Sequence, residues 1–222
     1  AYTGHAEYDT IAAVKAAVRV PVIAAGGIAD AAGVLAAKDL GARAVQLGSY
    51  YHQAAPDLLA GNVYIQSRKA ACEGARAQAT ADFGVVSVNA PFMVGSVPGL
   101  PSMIFEPYVH WAQGKLPIPA YGPAGGTNFM SFRSLSQAIE GALLRGENGR
   151  AYLVGDEDLS FTDYFQLFFK AAGSDVVLDE RDEEHPLLPD IAIPQGRGNW
   201  VRVSPDPAEV AQLGYRRGDV AA

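Results

Sequence analysis

Ser49, Tyr64 and Arg68 have the residue types and the spacing that proton transfer to a carbonyl oxygen requires. A tyrosine hydroxyl can donate the proton if a nearby cation lowers its pKa from about 10. Because Tyr64 and Arg68 are four positions apart, a helix would place them on one face. Ser49 would hydrogen-bond the substrate oxygen and orient it for Tyr64. These three side chains are the candidate catalytic group.

Two apolar runs and one helical pattern must position these side chains. Ala44 to Leu47 is a short apolar run that ends in Gly48-Ser49, and an alanine-rich helical pattern follows from 67 to about 82. A second apolar run, Val85 to Val88, is closed by Asn89-Ala90-Pro91. Such runs on either side of a helix predict a parallel sheet, and ligands bind beyond the carboxyl ends of its strands.

The same stretch carries a resemblance to a known superfamily. Tyr64-Ile65-Gln66-Ser67-Arg68 stands where the extended, epimerase/dehydratase-like branch of the short-chain dehydrogenases/reductases has Tyr-x-x-x-Lys. The Leu-Gly-Ser strand end before it and the Val-Asn-Ala-Pro strand end after it occur in family order. Further similarity is found at 128–130, 149–155 and 213–216. From about Gly33 onward the chain therefore resembles this superfamily.

The resemblance implies a fold, an activity and a cofactor. The fold would be α/β: a Rossmann-like, mostly parallel sheet flanked by helices, with a small C-terminal substrate lobe. The activity would be that of an NAD(P)-dependent oxidoreductase or sugar-nucleotide epimerase/dehydratase-like enzyme acting on a small carbonyl or hydroxyl substrate. Tyr64 would be the acid/base, Ser49 its hydroxyl partner and Arg68 the residue in the lysine position. The NAD or NADP site would comprise Gly48, Tyr64, Arg68, Asn89, Ala90 and Pro91.

Two departures from the family pattern support an alternative. The superfamily's Gly-x-x-Gly-x-x-Gly fingerprint is missing, and a triplet started at Gly27 would place Asp30 at its middle glycine. An acid there would face a pyrophosphate, which is electrostatically unfavourable. Arg68 can supply positive charge but, unlike lysine, it cannot relay protons. The alternative is a non-catalytic dinucleotide- or metabolite-binding protein on the same fold.

A third interpretation concerns residues 1 to 49. Pro21 to Ile28 and the segment from Leu40 to Ser49 resemble late βα units of FMN-binding barrels, a pair of strands that nitronate monooxygenases have. The opening segment from Ala1 to Val18 is similar to dihydrouridine synthases. In such a barrel Gly26, Gly27, Gly48 and Ser49 would hold the FMN phosphate, whereas a glycine pair at a strand end can equally serve as a turn. Nothing after Ser49 continues the eight-unit pattern, so this hypothesis describes a barrel-type oxidoreductase fragment.

Composition narrows the remaining choices. The 222 residues carry a formal net charge of −7 without a lysine/arginine cluster, which argues against nucleic acid as a partner. No apolar run is long enough to span a bilayer, and the single Cys72 favours a reducing cytoplasm. The four histidines lack paired metal-ligand spacing, so no metal site is expected. The chain begins in the middle of a pattern, which suggests a fragment or a fusion.

We expect two domains and a small-molecule substrate. The predicted Rossmann-like core comprises residues 1–95 and 124–178, and the predicted substrate lobe comprises 96–123 and 179–222. Proline, glycine and aromatic residues are dense in the first lobe segment, as is typical of specificity loops. The alanine-rich helix offers a small-residue face that would suit a homodimer and is equally compatible with a buried position inside one chain.

Overall fold

A computed structural model describes residues 43–96, 99 and 102–221 of the chain. The segment from Pro21 to Ile28, with Gly26 and Gly27 of the expected FMN site, lies outside the described residues, as does Asp30.

The described residues alternate strands and helices as the sequence predicts. The strands are β1 (Ala44–Ser49), β2 (Val85–Ala90), β3 (Phe92–Val94), β4 (Tyr121–Pro123), β5 (Gly126–Ser131), β6 (Ala151–Leu153), β7 (Glu157–Ser160), β8 (Asp179–Arg181) and β9 (Trp200–Val201). The α-helices are α1 (Tyr51–Ala54), α2 (Val63–Arg76), α3 (Phe105–Ala112), α4 (Phe132–Arg145), α5 (Phe161–Ala171) and α6 (Pro207–Leu213). Short 3₁₀ helices cover Pro56–Gly61 and Asp190–Ala192.

The first sheet is parallel, with the strand order β1-β2-β6. Its register sets Gly48 opposite Asn89 and Ser49 opposite Ala90, so both strands end at the same edge. Helix α4 covers one face, where Val86, Val88 and Ala90 pack in an apolar core. Because side chains alternate along a strand, Ser87 and Asn89 point to the opposite face, where Asn89 lies near Cys72 of α2. The sheet is therefore enclosed between two helices.

Side-chain caps explain where the two flanking helices begin. Asn62 accepts a hydrogen bond from the Ile65 amide at 3.2 Å, so α2 starts at Val63 and carries Tyr64 on its first turn. Ser131 likewise accepts from the Ser134 amide at 3.0 Å and is the N-cap of α4.

A second group of strands carries an aromatic core. Strand β5 pairs with β3 and β9 in parallel and with β7 antiparallel, while β4 and β8 form a separate parallel pair. Strand β8 lies at the start of the charged run 179–184. Aromatic residues of α3 and α5 pack together beside Leu188 and Ile193. The buried phenylalanines of α5 thus belong to this core.

The expected fold class is confirmed, since the sheets are mostly parallel and flanked by helices. The division into core and lobe stays a prediction, and α5, which that division gives to the core, packs against segments assigned to the lobe. Within the described part of the chain, no helix is long and apolar enough to cross a membrane. The same residues contain no group of three or more His, Cys, Asp or Glu side chains suited to a metal ion.

Candidate functional site

A pocket of about 190 Å³ opens where β1 and β2 end. It is the place that a parallel sheet offers to a ligand. Its lining residues are Leu47, Gly48, Ser49, Tyr50, Tyr51, Tyr64, Arg68, Ala90, Pro91, Phe92 and Met93. The pocket therefore unites six of the seven residues that the sequence predicts for catalysis or cofactor binding, and it leaves out Asn89.

Ser49 is the last residue of β1 and only 6% of its surface is exposed. Its hydroxyl has no hydrogen-bond partner in the described part of the chain, and its oxygen is not among the fully enclosed unpaired atoms of the described residues, so it remains open to the pocket. Since Ser49 lines the pocket, its hydroxyl is available to an oxygen atom of a bound molecule.

Tyr64 and Arg68 reach the pocket from the first two turns of α2, one turn apart on the same face. Tyr64 is 50% exposed, so its hydroxyl is accessible from solvent. Arg68 donates from Nη2 to the carbonyl oxygen of Leu47 at 2.8 Å, which fixes the guanidinium at the end of β1. Its Nε is buried and has no partner among the described residues. The spacing prediction for this pair is consistent with the geometry.

Asn89 lies beside the pocket without lining it. Its Nδ2 donates to Gln53 Oε1 at 2.5 Å, and its Oδ1 accepts from Ser87 Oγ at 3.0 Å. A Cβ added to Gly48 would lie 1.8 Å from Asn89 Oδ1. Asn89 therefore braces α1 against the sheet, and its expected place in the cofactor site stays a prediction. Gly48 lines the pocket, and position 48 requires glycine because any larger side chain there would collide with Asn89.

Asn89 belongs to a group of polar side chains between the sheet and α2, which we call the polar cluster. Its members are Gln46, His52, Gln53, Cys72, Ser87 and Asn89. Cys72 is fully buried there, with Sγ 3.7 Å from Asn89 Nδ2. Burial raises the pKa of the Cys72 thiol. Side-chain hydrogen bonds lower the pKa by more than burial raises it, and the resulting pKa is about 6. The cluster thus favours a thiolate close behind the pocket.

Tyr50 and Tyr51 are pocket residues that the motif analysis does not single out. Their rings are 4.3 Å apart between centroids, and both side chains are almost fully buried. The Tyr51 hydroxyl donates to Gln195 Oε1 at 2.7 Å, and the Tyr50 hydroxyl is paired with Thr127 Oγ1. Their position directly after Ser49 is the sequence feature that could have indicated a place in the pocket. Their hydrogen-bond partners give no such indication, because Thr127 lies 77 residues from Tyr50 and Gln195 lies 144 residues from Tyr51.

Comparison with protein families gives one match, over the N-terminal part of the chain. The model of the nitronate monooxygenase family matches residues 1–55. Of the described strands, only β1 falls inside this match. The expected resemblance of the opening segment to this family is therefore found again, while Gly26 and Gly27 lie outside the described residues. No curated protein sequence matches the chain.

Solved structures of epimerase/dehydratase-type enzymes share the fold. The dTDP-glucose 4,6-dehydratase of Bacillus anthracis in complex with NAD has a TM-score of 0.62 at 15% identity, covering 95% of this chain and 72% of that one. RMD from Pseudomonas aeruginosa, complexed with NADPH, gives 0.55 at 15% identity, with 86% and 68% covered. The UDP-N-acetylglucosamine 4-epimerase of Methanobrevibacter ruminantium gives 0.57 at 11% identity, with 86% and 64% covered.

These likenesses confirm the Rossmann-like, epimerase/dehydratase-type fold expected from the sequence. At identities of 11–15% they show the fold alone. The chemistry of the chain has to be argued from its own pocket.

Proposed function

We propose that the chain is an NAD(P)-dependent oxidoreductase that acts on a small carbonyl or hydroxyl substrate. The observation that carries this proposal is the convergence of Ser49, Tyr64 and Arg68 on one pocket at the carboxyl ends of β1 and β2. The three come from two separate elements, a strand end and a helix start, and each presents a polar group there. A proton donor, a second hydroxyl and a fixed positive charge are the groups that carbonyl reduction needs.

Each residue has a distinct task in this mechanism. The unpaired Ser49 hydroxyl hydrogen-bonds the substrate oxygen and holds it in the pocket. Tyr64 donates its proton to that oxygen when a carbonyl is reduced and accepts a proton when an alcohol is oxidised. The Arg68 guanidinium, anchored on Leu47, places positive charge on the helix face of Tyr64. As an arginine it stabilises negative charge without relaying protons.

The nicotinamide end of a dinucleotide fits this pocket. The buried Nε of Arg68 lacks an acceptor among the described residues, and a ribose hydroxyl would provide one. Ala90 and Pro91 give the neighbouring strand end a small, apolar surface. When bound, the cofactor would supply or accept the hydride. Two of the solved structures with this fold contain NAD or NADPH, which supports a dinucleotide as the cofactor.

The first test is titration of the purified protein with NADH and NADPH, followed by fluorescence, after its visible spectrum has been recorded. We expect saturable binding of one nucleotide and a colourless protein. A flavin absorption band would contradict the proposal and favour the FMN hypothesis. Nucleotide binding without turnover of any carbonyl would favour the non-catalytic alternative.

A pair of adjacent substitutions then tests the site. Arg68→Met removes the charge that lines the pocket, and Lys69→Met removes a neighbour that instead forms an exposed ion pair with Glu73 at 3.5 Å. We expect Arg68→Met to lower kcat/KM by about 100-fold, and Lys69→Met to leave it within about twofold. Tyr64→Phe should lower kcat by about 100-fold or more while nucleotide binding persists. Equal effects of both cation substitutions would count against the assigned role of Arg68.

A further inference from the structure

The Tyr51 hydroxyl is committed to the protein and not to the pocket. It donates to Gln195 Oε1, and Gln195 Nε2 in turn donates to the carbonyl oxygen of Gly126 at 3.2 Å. The side chains of Tyr51 and Gln195 are both buried. This series of hydrogen bonds therefore ends at a backbone carbonyl of β5 and not at a group in the pocket.

The Tyr50 hydroxyl is committed in the same way. Thr127 Oγ1 donates to the carbonyl oxygen of Val201 at 3.3 Å, so the Tyr50 hydroxyl must be the donor in its bond with Thr127. Burial raises the pKa of Tyr50 to about 12 and raises that of Tyr51 as well. Both hydroxyls stay protonated and keep their protein partners at neutral pH.

The rest of the pocket lining is apolar. Among the described lining residues, Leu47, Ala90, Pro91, Phe92 and Met93 carry apolar side chains, and none carries a carboxylate. With Arg68 Nε left to the ribose of the cofactor, the hydroxyls of Ser49 and Tyr64 are the described lining groups that can bind the substrate. Together they can satisfy one substrate oxygen, whereas further hydroxyl groups would be buried against apolar surface without partners in this part of the chain.

We propose that the substrate carries its single reacting oxygen on an apolar body, as a short aliphatic or aromatic aldehyde or ketone does, and that polyhydroxylated sugars are disfavoured. This inference rests on the proposed function. In the reaction the carbonyl carbon gains a hydride from NAD(P)H and the oxygen gains the Tyr64 proton, so that the carbonyl is reduced to an alcohol as the nicotinamide is oxidised. The pocket of about 190 Å³ would hold the nicotinamide end as well as the substrate, so a small molecule fits it better than a bulky one; sites for drug-sized ligands have about 300 Å³ or more.

Propanal and glyceraldehyde test the inference, because they differ only by two hydroxyl groups. We expect kcat/KM to favour propanal by about 100-fold, the discrimination typical of a hydrophobic pocket against an added hydroxyl. Ligand-observed NMR on the same pair measures binding without turnover and should show contact with propanal alone. Turnover of glyceraldehyde equal to or better than that of propanal would overturn the inference and leave the proposed function intact. Binding of propanal without turnover would support the pocket chemistry and count against the proposed function.

Met93→Gln gives an independent test, since it adds a polar group to the lining at nearly constant volume. We expect it to reduce the preference for propanal by about tenfold or more. The matched control is Ile191→Gln, a similar change at a residue that is 93% exposed and lies outside the pocket. An unchanged preference in Met93→Gln, with the fold intact, would overturn the inference.

Discussion

Cys72 and His185 are both fully buried, but their surroundings are opposite in kind. Cys72 lies in the polar cluster between the first sheet and α2, where several side chains can donate hydrogen bonds to its sulfur. His185 lies among the rings of Trp111, Tyr121 and Phe165, each with its centroid 4.8 Å from the imidazole. One region is built from hydrogen bonds and the other from aromatic packing.

The difference teaches that burial alone does not decide whether a side chain is charged. Burial lowers the pKa of His185 to about 4, because the rings offer no partner to an imidazolium, so the residue is neutral at pH 7. Burial acts against the Cys72 thiolate as well, but the donors around it outweigh burial and bring its pKa to about 6. The polar cluster thus favours charge near the pocket, while the aromatic region excludes it.

The largest effect is expected from breaking the aromatic region. Phe165 is fully buried and contacts the rings of Tyr108, Trp111 and His185. Phe165→Ala should lower the free energy of unfolding by about 4 kcal/mol, because it removes a large apolar side chain and leaves a cavity. Urea unfolding measures the loss. Phe168→Ala, at a partly exposed position of the same helix, is the control, and an equal loss in both variants would contradict the importance assigned to the buried ring.

The second-largest effect is expected from acid, which should lower the folding stability through His185 of the same aromatic region. The Leu187 amide donates to His185 Nδ1 at 3.1 Å, so Nδ1 is unprotonated in the fold. Because the pKa is about 4 in the folded chain and 6.5 in the unfolded one, the unfolded state binds the proton more readily below pH 6.5. Stability is therefore complete above pH 6.5 and falls by about 2 kcal/mol between pH 7 and pH 5.

His185→Gln isolates this contribution, since glutamine is neutral over the whole range. Denaturant midpoints measured from pH 7 to pH 5 should fall less steeply in His185→Gln than in the wild type. His110→Gln, at a partly buried histidine of α3, is the control and should keep the wild-type slope. A wild-type slope in His185→Gln would show that His185 does not cause the acid sensitivity.

Much of the pocket could be predicted because its residues follow local rules. Strand ends at Ser49 and Ala90 come from short apolar runs closed by turn residues, and the spacing of Tyr64 and Arg68 comes from the helical repeat. The family resemblance supplied the roles.

The anchoring of the pocket could not be read from the sequence. Tyr50 and Tyr51 are held by Thr127 and Gln195, and nothing in the local pattern of either tyrosine reports a partner so distant in the chain. Contacts between residues far apart in sequence depend on how the elements pack, which local spacing does not encode.

The smallest effect is expected from the polar cluster. With a folded pKa of about 6 against an ordinary value of 9.0, the Cys72 thiolate stabilises the fold fully only above pH 9, and this contribution is lost as pH falls through 6. Between pH 7 and pH 5 the loss is about 1 kcal/mol.

The ultraviolet absorbance of the thiolate should titrate with a midpoint near pH 6 in the folded protein, and Cys72→Ala, which removes the single cysteine, should abolish the transition. Asn89→Leu removes one donor and should raise the midpoint, whereas an unchanged midpoint would show that hydrogen bonds from the cluster do not set the charge of Cys72.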